Sequence, residues 1–264
     1  MNRAFIYAYA GHILLSIAAF LLVVQTGALH PEAQISIAFK VTVCLSAFLI
    51  YRLAYYGLRW QFEFIQLLKR KEISVCLLLL LIMIPFIRTQ EIKGMLLMLL
   101  CCLAYFVEYK NWKGLRSLPI VKSIWLAFVW TITTVVIPLN DNLNADVRML
   151  ITERFLFILP LCIIYNLRDN ASDSVNGIHT ITRVIGAGRT KKLSLLLLAI
   201  NAYLIFIHHY IFPVSVALTI SLAITAVIII IAKEDGHQLF YTFAVDASMI
   251  LQSVLVIGAV TVFC

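Results

Sequence analysis

Charge is what this chain has least of. Only 13% of its 264 residues are Asp, Glu, Lys or Arg, and the acids number 13. A soluble domain typically carries about 25% charged residues. With 62% of the residues apolar, a water-facing globule of this size has no surface for so much Leu and Ile. The opposite imbalance, low hydrophobicity with high charge, marks disordered chains, so disorder is excluded as well. Cysteine is scarce too. Cys44, Cys76, Cys101, Cys102, Cys162 and Cys264 form no Cys-x-x-Cys pair and do not cluster with the six histidines, so they are expected to be small apolar filler and not zinc ligands. Also missing is any repeated alternation over about ten residues with turns between, as a membrane barrel requires.

What the chain has is long apolar runs, with a mean hydropathy of +0.98. A helix needs about 20 apolar residues to cross the hydrocarbon core. Nine stretches approach that length: 5–28, 35–56, 73–87, 92–107, 120–139, 147–166, 193–212, 214–232 and 239–263. Unpaired backbone cannot face lipid, so helices are the remaining solution. The expected fold is an all-α, polytopic integral membrane bundle of nine transmembrane helices, one transmembrane domain over 1–264. The first stretch has no signal-peptide cleavage pattern and is expected to stay as a span.

Of the 21 Lys and Arg, 16 fall on the side that holds the N-terminus when nine spans alternate, and only Arg88, Lys93 and Arg148 fall on the other. By the positive-inside rule the N-terminus is cytoplasmic and the C-terminus outside, in an inner or plasma membrane. The net charge of +8 then reflects topology and is no sign of a nucleic-acid partner.

Three connections on the cytoplasmic side are longer than a link requires. In 57–72, Leu58, Phe62, Ile65 and Leu68 recur at helical spacing with Arg59, Glu63 and Lys69 to Lys71 off the stripe, which predicts an amphipathic interfacial helix. The second, 108–122, is basic and contains Trp112. The third, the polar loop 166–192, opens Asn166-Leu-Arg168-Asp169-Asn-Ala-Ser-Asp173. If the helix continues through it at about 100° per residue, Asn166, Asp169 and Asp173 fall on one face. Two carboxylates and an amide suit Mg²⁺ with phosphate oxygens as co-ligands. Arg168 and the basic run from Arg183 through Lys191 to Lys192 could neutralise the same phosphates. The alternative is that the acids only pair with neighbouring arginines at a helix end.

The segment from Glu153-Arg-Phe-Leu-Phe-Ile-Leu-Pro through Tyr165-Asn-Leu-Arg-Asp169-x-x-x-Asp173-x-x-x-Gly177-Ile-His-Thr180, with Gly186 beyond, resembles the second aspartate motif of the UbiA superfamily of intramembrane prenyltransferases. The run from Phe240 to Gln252, containing Asp246, is similar to the last helix of some members. The resemblance implies nine helices, a cytoplasmic-facing pocket for a polyprenyl diphosphate, and Mg²⁺ held by Asp169 and Asp173. It departs from the family in the first half. Where a first aspartate motif would stand, the chain reads Tyr51-Arg52-Leu-Ala-Tyr55-Tyr56-Gly-Leu-Arg59-Trp60, with no carboxylate between Glu32 and Glu63. Arg52 and Arg59 are candidate phosphate ligands there, and Tyr51, Tyr55 and Asp246 candidate pocket residues. Aromatic faces can also stabilise an allylic cation, although an interfacial aromatic belt needs no function.

Buried charge is the other pointer in a membrane protein. Asp246 lies about eight residues, or about 12 Å, into the last span. Glu153 and Arg154 sit about a third of the way into the sixth, while His208 and His209 near the outer end of the seventh read as interfacial. Two functions stand. One is a UbiA-like protein binding an isoprenoid diphosphate or similar lipid phosphate, either a Mg²⁺-dependent prenyltransferase or a relative without catalysis. The other is a membrane transporter or assembly factor.

Overall fold

A computed structural model describes residues 3–56, 69–106, 115, 118–139, 144–175, 181–234, 236 and 238–263. The side chains of 3–6, 106, 119, 169–175 and 238 are not described. Arg59, Trp112 and the stripe from Leu58 to Leu68 therefore lie outside the described residues, as do the side chains of Asp169 and Asp173.

The described chain is helical. In order it forms α1 (Arg3–Leu29), α2 (Ile37–Tyr56), α3 (Lys71–Met83), α4 (Thr89–Phe106) and α5 (Pro119–Thr131), which runs on as a π-helical turn, Ile132–Val136. Then come α6 (Ala145–Val175), the single turn α7 (Ile181–Ile185), α8 (Ala187–Ile207) and α9 (Phe212–Ile231). Last is α10, built from Gln238–Phe240, the π-helical turn Tyr241–Val245 and Asp246–Phe263.

The boundaries follow local chemistry. Proline, which has no N–H to lose and a preset φ, opens the 3₁₀ turn Pro31–Ala33 and α5. The Asn144 side chain accepts the Val147 N–H at 2.9 Å and caps α6, while Glu91 accepts the Arg88 N–H at 3.0 Å ahead of α4. Gly186 separates α7 from α8 at φ +81°, a conformation that costs other residues steric strain.

Among the described residues five helices are long and apolar enough to cross a membrane: Tyr7–Leu29 of α1, all of α2, α8 and α9, and Tyr241–Phe263 of α10. This is a helical membrane protein with several candidate spans. The nine equivalent spans expected from hydropathy are not all of that kind. At 13 residues α3 is about 20 Å long, short of the roughly 30 Å hydrocarbon core. The described apolar stretch of α5 is also shorter, Ile120–Val136. In α4 Glu91 and Lys93 stand in the first turns, and in α6 Glu153 and Arg154 are both buried. The polar loop expected at 166–192 is mostly helix, because α6 continues to Val175 and α8 begins at Ala187.

The helices close on themselves. Contacts run from α1 to α2, to α4 and α5, to α6, α8, α9 and α10, and from α10 back to α1, while α3 packs against α2. One core, including Phe157, Leu161, Ile164, Leu222 and Val256, joins α6, α8, α9 and α10. A second, with Val23, Phe39, Val43 and Met98, joins α1, α2 and α4. Lipid tails are as apolar as leucine, so close packing must hold such a bundle together, and small residues permit it. At Gly11 of α1 an added Cβ would lie 3.1 Å from Thr242 Cγ2 of α10.

Candidate functional site

Polar groups inside the bundle gather at two levels. The near end, where α1 begins, carries the candidates expected from sequence. Arg52 of α2 is fully buried. Its Nη2 donates to the Tyr56 hydroxyl and, at 3.1 Å, to Glu72 Oε1 of α3; the Tyr56 hydroxyl donates to the same oxygen at 2.9 Å. The guanidinium carbon lies 4.9, 5.4 and 4.7 Å from the ring centres of Tyr9, Tyr55 and Tyr56. Three aromatic faces and one carboxylate surround this buried cation. Arg52 is thus held by its own helix, α1 and α3. Burial raises the pKa of the Glu72 carboxyl, but its backbone hydrogen bond, the Tyr56 hydroxyl and Arg52 outweigh that and hold it below the ordinary 4.5.

Next to Arg52 in α2, Tyr51 is partly buried. The Trp130 indole of α5 donates to its hydroxyl at 3.3 Å, and His12 of α1 stacks on its ring with centroids 6.1 Å apart. His12 also meets the Tyr55 ring edge-on at 5.8 Å. Across the bundle, the Tyr165 hydroxyl of α6 reaches Asp246 of α10 and, at 3.0 Å, the backbone oxygen of Tyr241. That oxygen belongs to the π turn. A π turn relaxes the regular hydrogen-bond ladder and often marks a functional site. The turn Ile132–Val136 does the same work elsewhere, its Thr134 oxygen accepting from the Thr26 hydroxyl at 2.8 Å. Arg168 lies over the Tyr165 ring at 4.7 Å. Next to Tyr165, Asn166 is fully buried. Its amide nitrogen donates to Ser123 Oγ at 2.9 Å and to the carbonyls of Cys162 and Ile163, while its Oδ1 accepts nothing from the described residues.

The structure therefore gathers Tyr51, Arg52, Tyr55, Tyr165, Asn166, Arg168 and Asp246 at one end of the bundle. Lys191 stands apart: its Nζ donates to the Ile230 carbonyl at 2.9 Å, at the end of α9. Among the described residues no group of three His, Cys, Asp or Glu could hold a metal ion. Asn166 Oδ1 alone is no Mg²⁺ site, since such sites need carboxylates. Positions 169 and 173 follow it one and two turns along the same helix.

The far end holds a second polar cluster. Glu153 Oε1 is 2.7 Å from His208 Nδ1, and its Oε2 accepts from the Tyr210 hydroxyl at 2.8 Å. His208, read as interfacial from its place at a span end, caps α8 there and is paired with Glu153; His209 beside it is exposed. Arg154 Nη2 donates to Thr26 Oγ1 at 3.5 Å. Sequence reasoning missed His12 and Tyr210. A lone histidine or tyrosine in an apolar run carries no spacing signal, and only the neighbouring helices give it a role.

Compared with family models, with curated proteins and with solved structures, the chain matches none of them.

Proposed function

We propose that this protein is a UbiA-like intramembrane protein whose near end faces the cytoplasm and binds a polyprenyl diphosphate or a similar lipid phosphate. One observation carries the reading. α6 runs unbroken from Ala145 to Val175, so positions 166, 169 and 173 follow one another on a single helix end, beside Arg168, Asp246 and the aromatic end of α2. The Asp169-x-x-x-Asp173 spacing on a helix is what a phosphate-bridging Mg²⁺ would use. The motif in 153–186 supports the same assignment. When bound, the ion would supply charge neutralisation of the diphosphate.

Binding, and not prenyl transfer, is the activity the residues favour. Transfer through an ionising diphosphate relies on strong electrostatic stabilisation of the leaving group, and losing such groups costs several kcal/mol of barrier. Here α2 carries no carboxylate, and its Arg52 is committed to Glu72 and three tyrosines. The rival reading, a transporter, draws on the ionisable groups inside the bundle, Asp246 and the Glu153–His208 pair, since such groups often mark ion pathways.

The test uses the full chain purified in detergent, with labelled farnesyl and geranylgeranyl diphosphate, Mg²⁺ and a panel of aromatic acceptors. Mg²⁺-dependent binding is expected, weakened at least about tenfold, which is about 1.4 kcal/mol, by Asp169→Ala with Asp173→Ala. Absence of binding in the parent protein, with proton- or ion-coupled flux in liposomes, would establish the transporter reading.

A further inference from the structure

Arg52 and Glu72 meet at the near end at different depths. The Arg52 side chain is fully buried, while that of Glu72 is 27% exposed. Glu72 is the outer member of the pair. Two donors from α2 converge on one of its oxygens: Arg52 Nη2 at 3.1 Å and the Tyr56 hydroxyl at 2.9 Å both reach Oε1. A guanidinium and a phenol aimed at one anionic oxygen would serve a phosphoryl oxygen equally well. Because both use Oε1, the guanidinium holds the carboxylate at a single point, without the two-point fork that makes arginine pairs strong.

Positive charge is in excess at this corner. The Arg70 guanidinium carbon lies 5.0 Å from the centre of the Tyr56 ring. Lys69, Arg70 and Lys71 are exposed in a row, with Glu72 the next residue. The element that carries Glu72 is also held separately. α3 packs mainly against α2, and Ile73 and Cys76 with Leu49 form a small core apart from the two large ones. Glu72 can therefore rotate away, or α3 tilt, without opening the main bundle. Once released, the carboxylate still lies in the first turn of α3, where the helix dipole favours a negative charge. That offsets part of the loss of Arg52.

We propose that Arg52 and Tyr56, with Arg70 beside them, form a phosphoryl-binding site that the Glu72 carboxylate fills in the resting protein and leaves when a phosphate arrives. This rests on the reading above in bringing a phosphate to the near end, and adds how that end is kept closed. A phosphoryl group has more charge and more acceptor oxygens than a carboxylate, so it can engage both arginines and the phenol together. The chemistry is the same for a lipid phosphate and a free one.

Equilibrium binding to the full chain in detergent tests it, with labelled inorganic pyrophosphate and labelled farnesyl diphosphate as probes. EDTA is present, so that no metal contributes. Glu72→Gln should bind at least one of the two at least about tenfold more tightly than the parent, and Glu72→Gln with Arg52→Gln should lose the gain. Glu234→Gln, which removes an exposed acid at the same end, should give no gain. If Glu72→Gln does not fold, Glu72→Asp, which keeps the charge on a shorter side chain, should give a smaller gain of the same sign. A gain for farnesyl diphosphate above that for pyrophosphate identifies a lipid phosphate, and equal gains or a gain for pyrophosphate alone a free one; each supports the site. Affinity for both probes that is unchanged or lower in the Glu72 variant overturns it, as does a gain that survives Arg52→Gln or is matched by Glu234→Gln. The two readings separate cleanly. Mg²⁺-dependent binding of farnesyl diphosphate that needs Asp169 and Asp173 but ignores Glu72 leaves the lipid-phosphate reading standing without this one. An Arg52-dependent gain for pyrophosphate, where no form binds farnesyl diphosphate with or without Mg²⁺, does the reverse.

Discussion

Arg52, which is buried, and Glu72, which is half-buried, link α2 to α3, and the link depends on pH. The folded protein holds the Glu72 carboxyl below its ordinary 4.5, so the native state prefers it ionised. The stabilisation is complete above the unfolded value and is lost as pH falls through the lower folded value. Tm measured from pH 6 down to pH 3 should therefore fall less for Glu72→Gln than for the parent across the acid end of that range. Glu153 offers a second residue-scale test. Its side chain and that of His208 are 6% and 9% exposed, so breaking the pair leaves a polar group buried and partly unmatched. His208→Phe should lower stability by on the order of 3 kcal/mol, since one-sided loss of a buried pair is costly. Glu153→Gln, which can keep hydrogen bonds to both Tyr210 and His208, should cost less. Chemical denaturation in detergent orders the two variants.

At the scale of the element, close approach sets what each helix tolerates. An added Cβ at Gly94 of α4 would fall 2.8 Å from Ile137 Cγ1 and 3.1 Å from its Cδ1 and Cγ2. Gly94→Leu should therefore destabilise by about 1–3 kcal/mol through overpacking, and Gly94→Ala combined with Ile137→Val should recover most of that in the same measurement. Helices of this kind were legible from apolar runs and proline positions: α1, α2, α9 and α10 match the expected stretches closely, while α8 (Ala187–Ile207) lies five to six residues ahead of the expected 193–212. Hydropathy was less informative about α3 and α6. It counts apolar residues, and so read α3 as a span although its helix has only 13 residues. It also ended the sixth stretch at Asn166, where polarity rises but the helix continues.

For the whole molecule, the sequence signalled which residues are unusual and not which of them meet. Arg52 and Asp246 stand out because ionisable groups in apolar runs are rare. That Arg52 faces Glu72 and three tyrosines, or that Asp246 faces Tyr165, depends on how the helices are ordered around the bundle. Adjacent residues can also part company: Glu153 and Arg154 are neighbours in the chain, yet one serves His208 and Tyr210 while the other lines a cavity. The expected pairing site of Asp169 and Asp173 falls on side chains that are not described.

The contact between α1 and α10 has a consequence for synthesis. α1 leaves the ribosome well before α10 and finds one of its two main neighbours only when α10 arrives. Until then the Gln25 side chain has no Ser253, and Tyr165 of α6 has no Asp246. The unfinished bundle must wait in the bilayer with polar groups unmatched, a state that membrane chaperones and proteases recognise. Release of the chain before residue 238 should thus yield a protein that inserts but is short-lived, and pulse-chase of the truncated form against full length measures that lifetime. α10 acts as a timer on quality control as well as a wall of the bundle.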